Sequence, residues 1–240
     1  MSALTERLNQ SLLAMGVTVT QRQLSQFETY HQMLMDWNTR MDLTAVLEEE
    51  EMIDRHYVDS ASLLTFDWIA PGTKAIDVGT GAGFPGVPLA ILRPDIDMTL
   101  LDALGKRCAF LEAVVKALSL NCRVIHGRAE DAGRDAGLRE AFGAVLSRAV
   151  APMPVLLEYT LPLARVGGAV IAFKGPGVRE EWDQGRRAAY LLGGKLSEPV
   201  EVSIPGRADW HHLLVRCQKE HPTPRLYPRK AGTPKKEPLG

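Results

Sequence analysis

The chain predicts an α/β fold: an open, mostly parallel sheet carrying helices on its faces, preceded by a helical extension. Three observations predict it. From Lys74 onward, short apolar runs alternate with amphipathic stretches at helical spacing, the pattern of repeated βαβ units. The first 70 residues show helical periodicity without that alternation. Between them lies Ala75-Ile-Asp-Val-Gly-Thr-Gly-Ala-Gly-Phe-Pro-Gly-Val-Pro-Leu-Ala90, where an apolar run gives way to glycines 79, 81, 83 and 86 and then to a second apolar segment. That reads as a buried strand, a turn without Cβ atoms, and the start of a helix. Such a turn brings backbone N–H groups and a helix N-terminus to a ligand, which favours nucleotide-like molecules. The chain divides accordingly into a helical extension (1–70), a ligand-binding domain (71–220) and a tail (221–240).

Composition narrows the class. With 45% hydrophobic and 24% charged residues in 240, the chain is ordinary for a soluble globular protein. No apolar run approaches the ~20 residues of a membrane-spanning helix. Met1-Ser-Ala-Leu-Thr-Glu-Arg-Leu8 lacks the basic start and apolar centre of a signal peptide. Cys108, Cys122 and Cys217 form no Cys-x-x-Cys pair and no zinc-like spacing with histidine, so they read as core residues in a reducing cytoplasm, and no metal is expected. The adjacent His211 and His212 read as strand residues pointing to opposite faces, unable to chelate together. Net charge is −1, but residues 221–240 hold five lysines and arginines against one acid, a net +4 on a mildly acidic body. That asymmetry suggests either a polyanionic partner or a solvated terminus.

In chain order, Leu4, Leu8, Leu12 and Met15 predict a helix that stops at Gly16. Thr20-Gln-Arg-Gln23 is a capping box opening a second helix, whose stripe Leu24, Phe27, Tyr30, Leu34 and Trp37 packs inward. After a polar, turn-like stretch to Val46, four glutamates from Glu48 suit the N-terminus of a third helix running to about Leu64. On it His56 and Asp59, at i and i+3, share one side, in a segment more polar than packing requires. Seven strands follow, at 75–78, 98–102, 123–126, 142–147, 169–173, 196–204 and 210–217, with helices near 86–93, 106–119, 153–164 and 178–192.

Gly81-Ala-Gly83-Phe-Pro-Gly86 satisfies G-x-G-x-x-G, with Asp102 ending the next strand, the pattern of a dinucleotide site. A second pattern overlaps it. Asp77-Val-Gly79-Thr-Gly81-Ala-Gly83 places an acid inside the strand, two residues before three alternating glycines, and resembles the motif of Rossmann-like S-adenosylmethionine methyltransferases. Asp77 would attract the ligand's ammonium, directly or through water, and glycine backbone would admit its amino-acid and ribose parts. Asp102 would accept from the ribose hydroxyls, and Glu130 with the backbone of Ala129 would reach the adenine edge.

Several segments together resemble the RsmG (GidB) family of bacterial methyltransferases acting on guanine N7 in small-subunit rRNA. They are Trp37-Asn38 with Leu43-Thr44-Ala45, His56 to Ser60, Asp77 to Leu89, Leu101 to Arg107, Arg128-Ala-Glu130, Ser147-Arg148-Ala149, Phe173-Lys174-Gly175 and Tyr227-Pro-Arg-Lys-Ala-Gly-Thr-Pro234. Asp42 departs from the asparagine usual in the family before Leu-Thr. The resemblance implies a class I methyltransferase fold with a mostly parallel seven-stranded sheet. It implies S-adenosylmethionine as cofactor and a cofactor site at Gly79, Phe84, Ala129, Glu130 and Arg148, to which the residue chemistry adds Asp77, Gly81, Gly83 and Asp102. It also implies 16S rRNA, in the small ribosomal subunit or its precursor, as partner, with no membrane and no obligate protein partner.

Guanine N7 carries a lone pair on the major-groove edge and needs no deprotonation, so no general base is expected. Rate would come from aligning N7 with the methyl–sulfur axis and excluding water. His56, Arg148 and Lys174 are candidates for holding the guanine, and Tyr227, Arg229, Lys230, Lys235 and Lys236 for contacting RNA. Arg148 has a second reading as an ion-pair partner of Asp77 or Glu130. Two rival functions stay open at this point: an NAD(P) oxidoreductase, for which no tyrosine is followed by lysine four residues on, and an RNA-binding protein without activity.

Overall fold

The computed structural model describes residues 2–240. Helices α1 (Ala3–Ala14) and α2 (Gln21–Asn38) come first, and the capping box is present: Thr20 and Gln23 bond each other's side chains and backbone. The single helix expected from Glu48 to Leu64 is instead four short pieces: α3 (Glu49–Met52), a π-helical turn (Ile53–Val58), α4 (Asp59–Ala61) and a 3-10 turn (Ser62–Thr65). A π turn adds a residue per turn and re-aims its side chains, a device common at functional sites. Here it carries Arg55 and His56. Periodicity does not reveal it: the buried set Ile53, Asp54, Tyr57 and Val58 still falls at helix-like spacing.

The sheet is built from β1 (Lys74–Val78), β2 (Asp97–Asp102), β3 (Cys122–His126), β4 (Phe142–Arg148), β5 (Ala164–Lys174), β6 (Gly194–Leu196), β7 (Val200–Val202) and β8 (His212–Lys219). Its order is β3-β2-β1-β4-β5-β8-β6, with β7 also on β8. The first five strands run parallel, while β8 returns antiparallel to β5 and pairs with both short edge strands. There are thus eight strands where seven were expected. The expected strand 196–204 is divided at Pro199, which has no N–H for a ladder. The helix expected at 153–164 stops at Thr160 (α8, Met153–Thr160), and β5 starts at Ala164. The helix expected at 178–192 divides into a 3-10 turn (Pro176–Arg179) and α9 (Trp182–Leu191).

Between strands lie α5 (Gly86–Leu92), α6 (Gly105–Leu118) and α7 (Ala129–Ala132), and α10 (Thr233–Lys236) lies in the tail. Alternating strand residues feed two cores. Ile76, Val78, Val145 and Val170 pack with α8 and α9. Leu100, Leu146 and Ile171 pack with α5 and α6, and the same core continues through Leu8, Leu12, Phe27 and Leu34. The helical extension therefore shares one hydrophobic core with that face of the sheet. Polar contacts reinforce this: Gln23 Nε2 donates to the carbonyls of Ile91 and Leu92 at the end of α5 (2.9 and 3.2 Å). Cys108 and Cys217 are buried and Cys122 half-buried, none in a disulfide. No helix among the described residues is long and apolar enough to cross a membrane.

One contact from α2 bears directly on the glycine turn. Fully buried Tyr30 donates its hydroxyl to the carbonyl of Ala82 at 2.6 Å, so this stripe residue supports the loop as well as filling the core. Tyr30→Phe keeps the ring but strands a buried carbonyl, which costs about 1–3 kcal/mol. Chemical denaturation reads that loss directly. An unchanged midpoint would show that the turn holds its shape without α2.

Candidate active site

The turn after β1 is tied from below. Asp77 is fully buried, and its Oδ2 accepts from the Gly86 N–H (2.8 Å) and the Thr80 hydroxyl (2.6 Å). Its Oδ1 is equally buried and has no partner among the described residues. Burial, opposed by these two hydrogen bonds, pushes its pKa up to about 6. Both oxygens therefore lie enclosed beneath the turn. Gly83 is glycine for packing: a Cβ would stand 2.8 Å from the Tyr30 hydroxyl and 2.6 Å from Val87. Gly81 is glycine for access, with φ +62° and nothing within 4 Å of where a Cβ would be.

Above the turn, at the carboxyl ends of β1, β2 and β3, lies a cleft of about 170 Å³ lined by Gly79, Asp102, Ala129, Glu130, Val150 and Tyr159 among others. Asp102 is pinned there: Oδ2 accepts from the Gly81 N–H and Oδ1 from the Leu104 N–H, each at 2.9 Å. A fixed carboxylate ending the second strand, an open glycine edge beside it and a second carboxylate on the next loop suit a nucleoside with a ribose diol. The residues present fit S-adenosylmethionine on that ground. The cleft sits where β1 has β2 on one side and β4 on the other, the crevice in which open sheets bind ligands.

A larger hollow of about 400 Å³ adjoins it across the loop after β4, Ala149 lining the hollow and Val150 the cleft. Its walls include Arg55, His56, Asp59, Arg148, Lys174 and His212. The arginine organises them. Arg148 Nη1 donates to Asp59 Oδ2 (2.9 Å) and to the Arg55 carbonyl (2.8 Å), while Nη2 meets His56 Nδ1 at 3.0 Å. Nδ1 of His56 also lies 3.1 Å from the Arg55 carbonyl, and its Nε2 faces the Thr44 hydroxyl at 3.1 Å, so both ring nitrogens are engaged. Burial first, and the Arg148 charge second, push the His56 pKa down to about 3; the ring is neutral. It stacks on Phe84 at 4.5 Å, and the Arg148 guanidinium lies 5.0 Å from the same ring. Across the carboxylate, Asp59 Oδ1 accepts from His212 Nδ1 at 2.7 Å.

Asn38 gives the polar turn its purpose. Its Oδ1 accepts from the Leu43 and Thr44 N–H groups (2.8 and 3.0 Å), which presents Thr44 to His56. Asp42 is exposed and joins none of this. Lys174 donates to the Ala151 carbonyl (2.9 Å) and to Glu181 (3.2 Å), holding the loop between the two hollows.

Of the expected site residues, Gly79, Asp102, Ala129 and Glu130 share the cleft, and His56, Arg148 and Lys174 share the larger hollow. Phe84 lies beneath both His56 and Arg148. Arg148 pairs with Asp59, which corrects the two partners read from sequence: Asp77 lies enclosed under the turn, and Glu130 faces the tail. The tail is held against the body of the fold. Arg229 forks onto Glu158, a fully buried carboxylate that needs a counter-charge, at 2.6 to 3.2 Å. Tyr227 packs against the α8–α9 core. Lys230, Lys235 and Lys236 are exposed. His212, Tyr30 and Arg55 belong to the site or its support although no motif marked them. His212 was weighed only as a metal ligand, and its partner Asp59 lies 153 residues away.

The comparisons agree with this geometry. The family model for rRNA small subunit methyltransferase G (GidB) matches residues 23–208. Among curated relatives, ribosomal RNA small subunit methyltransferase G of Clostridium tetani is 45% identical over 233 residues, covering 97% of both chains. That of Symbiobacterium thermophilum is 45% identical over 238 residues, covering 97% of this chain and 96% of its own. Among solved structures, the Thermus thermophilus branched-chain polyamine synthase in complex with 5'-methylthioadenosine superposes with a TM-score of 0.56 at 14% identity, over 81% of this chain and 64% of that one. The AdoMet complex of M. jannaschii TYW2 gives 0.52 at 17% identity, over 73% and 78%. At such identities these two share the fold. The match over most of the chain and the 45% identity with full-length relatives go further: the chain belongs to the rRNA small subunit methyltransferase G (GidB) family.

Proposed function

We propose that the chain transfers the methyl group of S-adenosylmethionine to N7 of a guanine in a decoding-region loop of 16S rRNA. The observation that carries this reading is the pair of adjoining hollows, a nucleoside-shaped cleft and a larger polar hollow, divided only by the loop that follows Arg148. S-adenosylmethionine in the cleft supplies a methyl carbon made electrophilic by its sulfonium. Gly79, Asp102, Ala129 and Glu130 hold the nucleoside, and Asp77 adds negative charge beneath the turn. His56, Arg148, Lys174 and His212 surround the space for the base.

The lone pair of N7 forms the new bond to carbon as the carbon–sulfur bond breaks, so positive charge passes to the purine and no proton moves. The arrangement suits that chemistry. Arg148 occupies Nδ1 of neutral His56, and Asp59 binds both Arg148 and His212, so these groups are fixed before a base arrives. Fixed polar groups orient the guanine and exclude water; no residue among them has to take a proton. Because a paired, stacked base cannot enter such a hollow, the substrate is an unpaired or displaced guanine. Lys230, Lys235 and Lys236 supply the phosphate contacts, while Arg229 is spent on Glu158. The reading makes the protein cytoplasmic.

Mass mapping of small-subunit rRNA tests the assignment. Cells lacking the protein lose one 7-methylguanosine; the wild-type gene restores it and Arg148→Ala does not. An unchanged inventory of 7-methylguanosine in the deletion strain refutes it. A second outcome concerns Asp77. With its pKa raised to about 6, the folded chain keeps a proton between pH 4 and 6 that the unfolded chain has released, so ionising this group costs stability as pH rises through that window. A cationic ligand above it favours the carboxylate. S-adenosylmethionine binding at pH 6 therefore releases up to about half a proton, fading by pH 8. Calorimetry in buffers of different ionisation enthalpy measures the release, and Asp77→Asn abolishes it. Release that survives the substitution would assign the proton elsewhere.

A further inference from the structure

The cleft has a wall that does not come from the sheet. Glu130, on α7, is 5% exposed, and its Oε1 accepts from the backbone N–H of Gly232 at 3.0 Å. Gly232 is fixed by anchors on both sides. Upstream, Arg229 forks onto buried Glu158 through its side chain and bonds the same carboxylate through its backbone N–H at 2.7 Å. Glu158 immediately precedes Tyr159, which lines the cleft. Before that, Arg134 donates to the Pro228 carbonyl (2.9 Å) and Arg139 to that of Tyr227 (2.8 Å). Downstream, Pro234 is buried. A tail predicted from charge to be either solvated or spread on RNA is thus docked on the two helices, α7 and α8, that carry Glu130 and Tyr159. Its lysines face solvent: Lys230, two residues before the Gly232 amide, and Lys235 and Lys236, three and four after it.

We propose that residues 227–236 are a positioning support behind the Glu130 wall of the cofactor cleft, and that RNA phosphates bound by Lys230, Lys235 and Lys236 tighten cofactor binding through the Gly232–Glu130 contact. The proposal rests on the S-adenosylmethionine reading above. Glutamate has three side-chain torsions, and ordering them is a cost that a ligand otherwise meets on binding. The Gly232 N–H meets it in advance, leaving Oε2 of Glu130 for the ligand. Phosphates held on both sides of Gly232 favour the docked segment over any loosened one. Whatever binds better to the docked form is then coupled to the cofactor, and the coupling is reciprocal. A methyltransferase wired this way holds its donor more tightly when substrate is in place and releases the spent donor more readily after RNA departs.

The test is isothermal titration of the full chain with S-adenosylhomocysteine, with and without an unmodified small-subunit rRNA transcript. Glu158→Gln/Arg229→Gln loosens the support while removing both buried charges together, which limits damage to the fold. It is expected to bind S-adenosylhomocysteine about tenfold more weakly without RNA, with a circular dichroism spectrum like that of the wild type. The triple variant Lys230→Ala/Lys235→Ala/Lys236→Ala, titrated at an RNA concentration that saturates it, is expected to lose the tightening that RNA gives the wild type. Because those lysines are exposed, this second arm reports even where the first variant folds poorly. Wild-type affinity unchanged by bound RNA overturns the coupling, and affinity within twofold of wild type in the folded Gln/Gln variant overturns the positioning role. Failure of the wild type to bind S-adenosylhomocysteine at all overturns the functional reading itself, a result distinct from both.

Discussion

The Arg148–Asp59 ion pair is the constraint on which the site depends. Both groups are largely withdrawn from water, with side chains 16% and 5% exposed. An isolated charge there would cost several kcal/mol, so each is stable only because the other is present. The pair also joins elements far apart in the chain. Arg148 ends β4, Asp59 begins α4 just after the π turn, and His212 starts β8. One carboxylate therefore fixes the end of a central strand, the extension and the returning strand around a single hollow. Burial makes His56 neutral, and the same arginine adds to the effect. The ring's place is fixed between the guanidinium and Phe84.

A second constraint runs through the glycine turn. Asp77 closes it from beneath by gathering Thr80 and Gly86, and Tyr30 closes it from the side by bonding Ala82. The partnerless Oδ1 of Asp77 is an energetic cost with no return in the fold. The proposed function gives that cost a use, since an ionised group in a medium of low dielectric attracts a nearby cation more strongly than a solvated one would. The helical extension enters the same account. It supplies the Tyr30 hydroxyl, the Asn38 turn and the π-helical His56, so the layer that looks most remote from a nucleotide site forms one side of it.

This division explains what could be read from the sequence. Asp77, the glycines and Asp102 lie within 26 residues of one another, and strand, turn and helix follow each other in an order that local chemistry dictates. Glu130 and Arg148 were legible as residues just past strand ends, and His56 with Asp59 as a helical pair. Their partners were not. His212 reaches Asp59 across 153 residues and Arg229 reaches Glu158 across 71, and no periodicity encodes such pairings. Nor does composition distinguish an arginine that meets RNA from one that neutralises a buried glutamate. The count of strands failed at Pro199 for a simpler reason: an apolar run was followed through a residue that cannot sustain a ladder.

The chemistry and the wiring bear on each other. A reaction that moves no proton sets no demand for a poised acid or base, and the polar groups of the larger hollow are in fact spent on one another. What such a site must supply is geometry, and geometry is lost most easily where side chains are long and unheld. Arg148, Lys174 and Glu130 are long side chains of the two hollows, and each is held by a group from a different element: Asp59, Glu181 and the Gly232 amide. Two of those holders are in the body of the fold and stay put. The third sits on a cationic segment at the edge of the cleft, the one restraint that an approaching polyanion can strengthen.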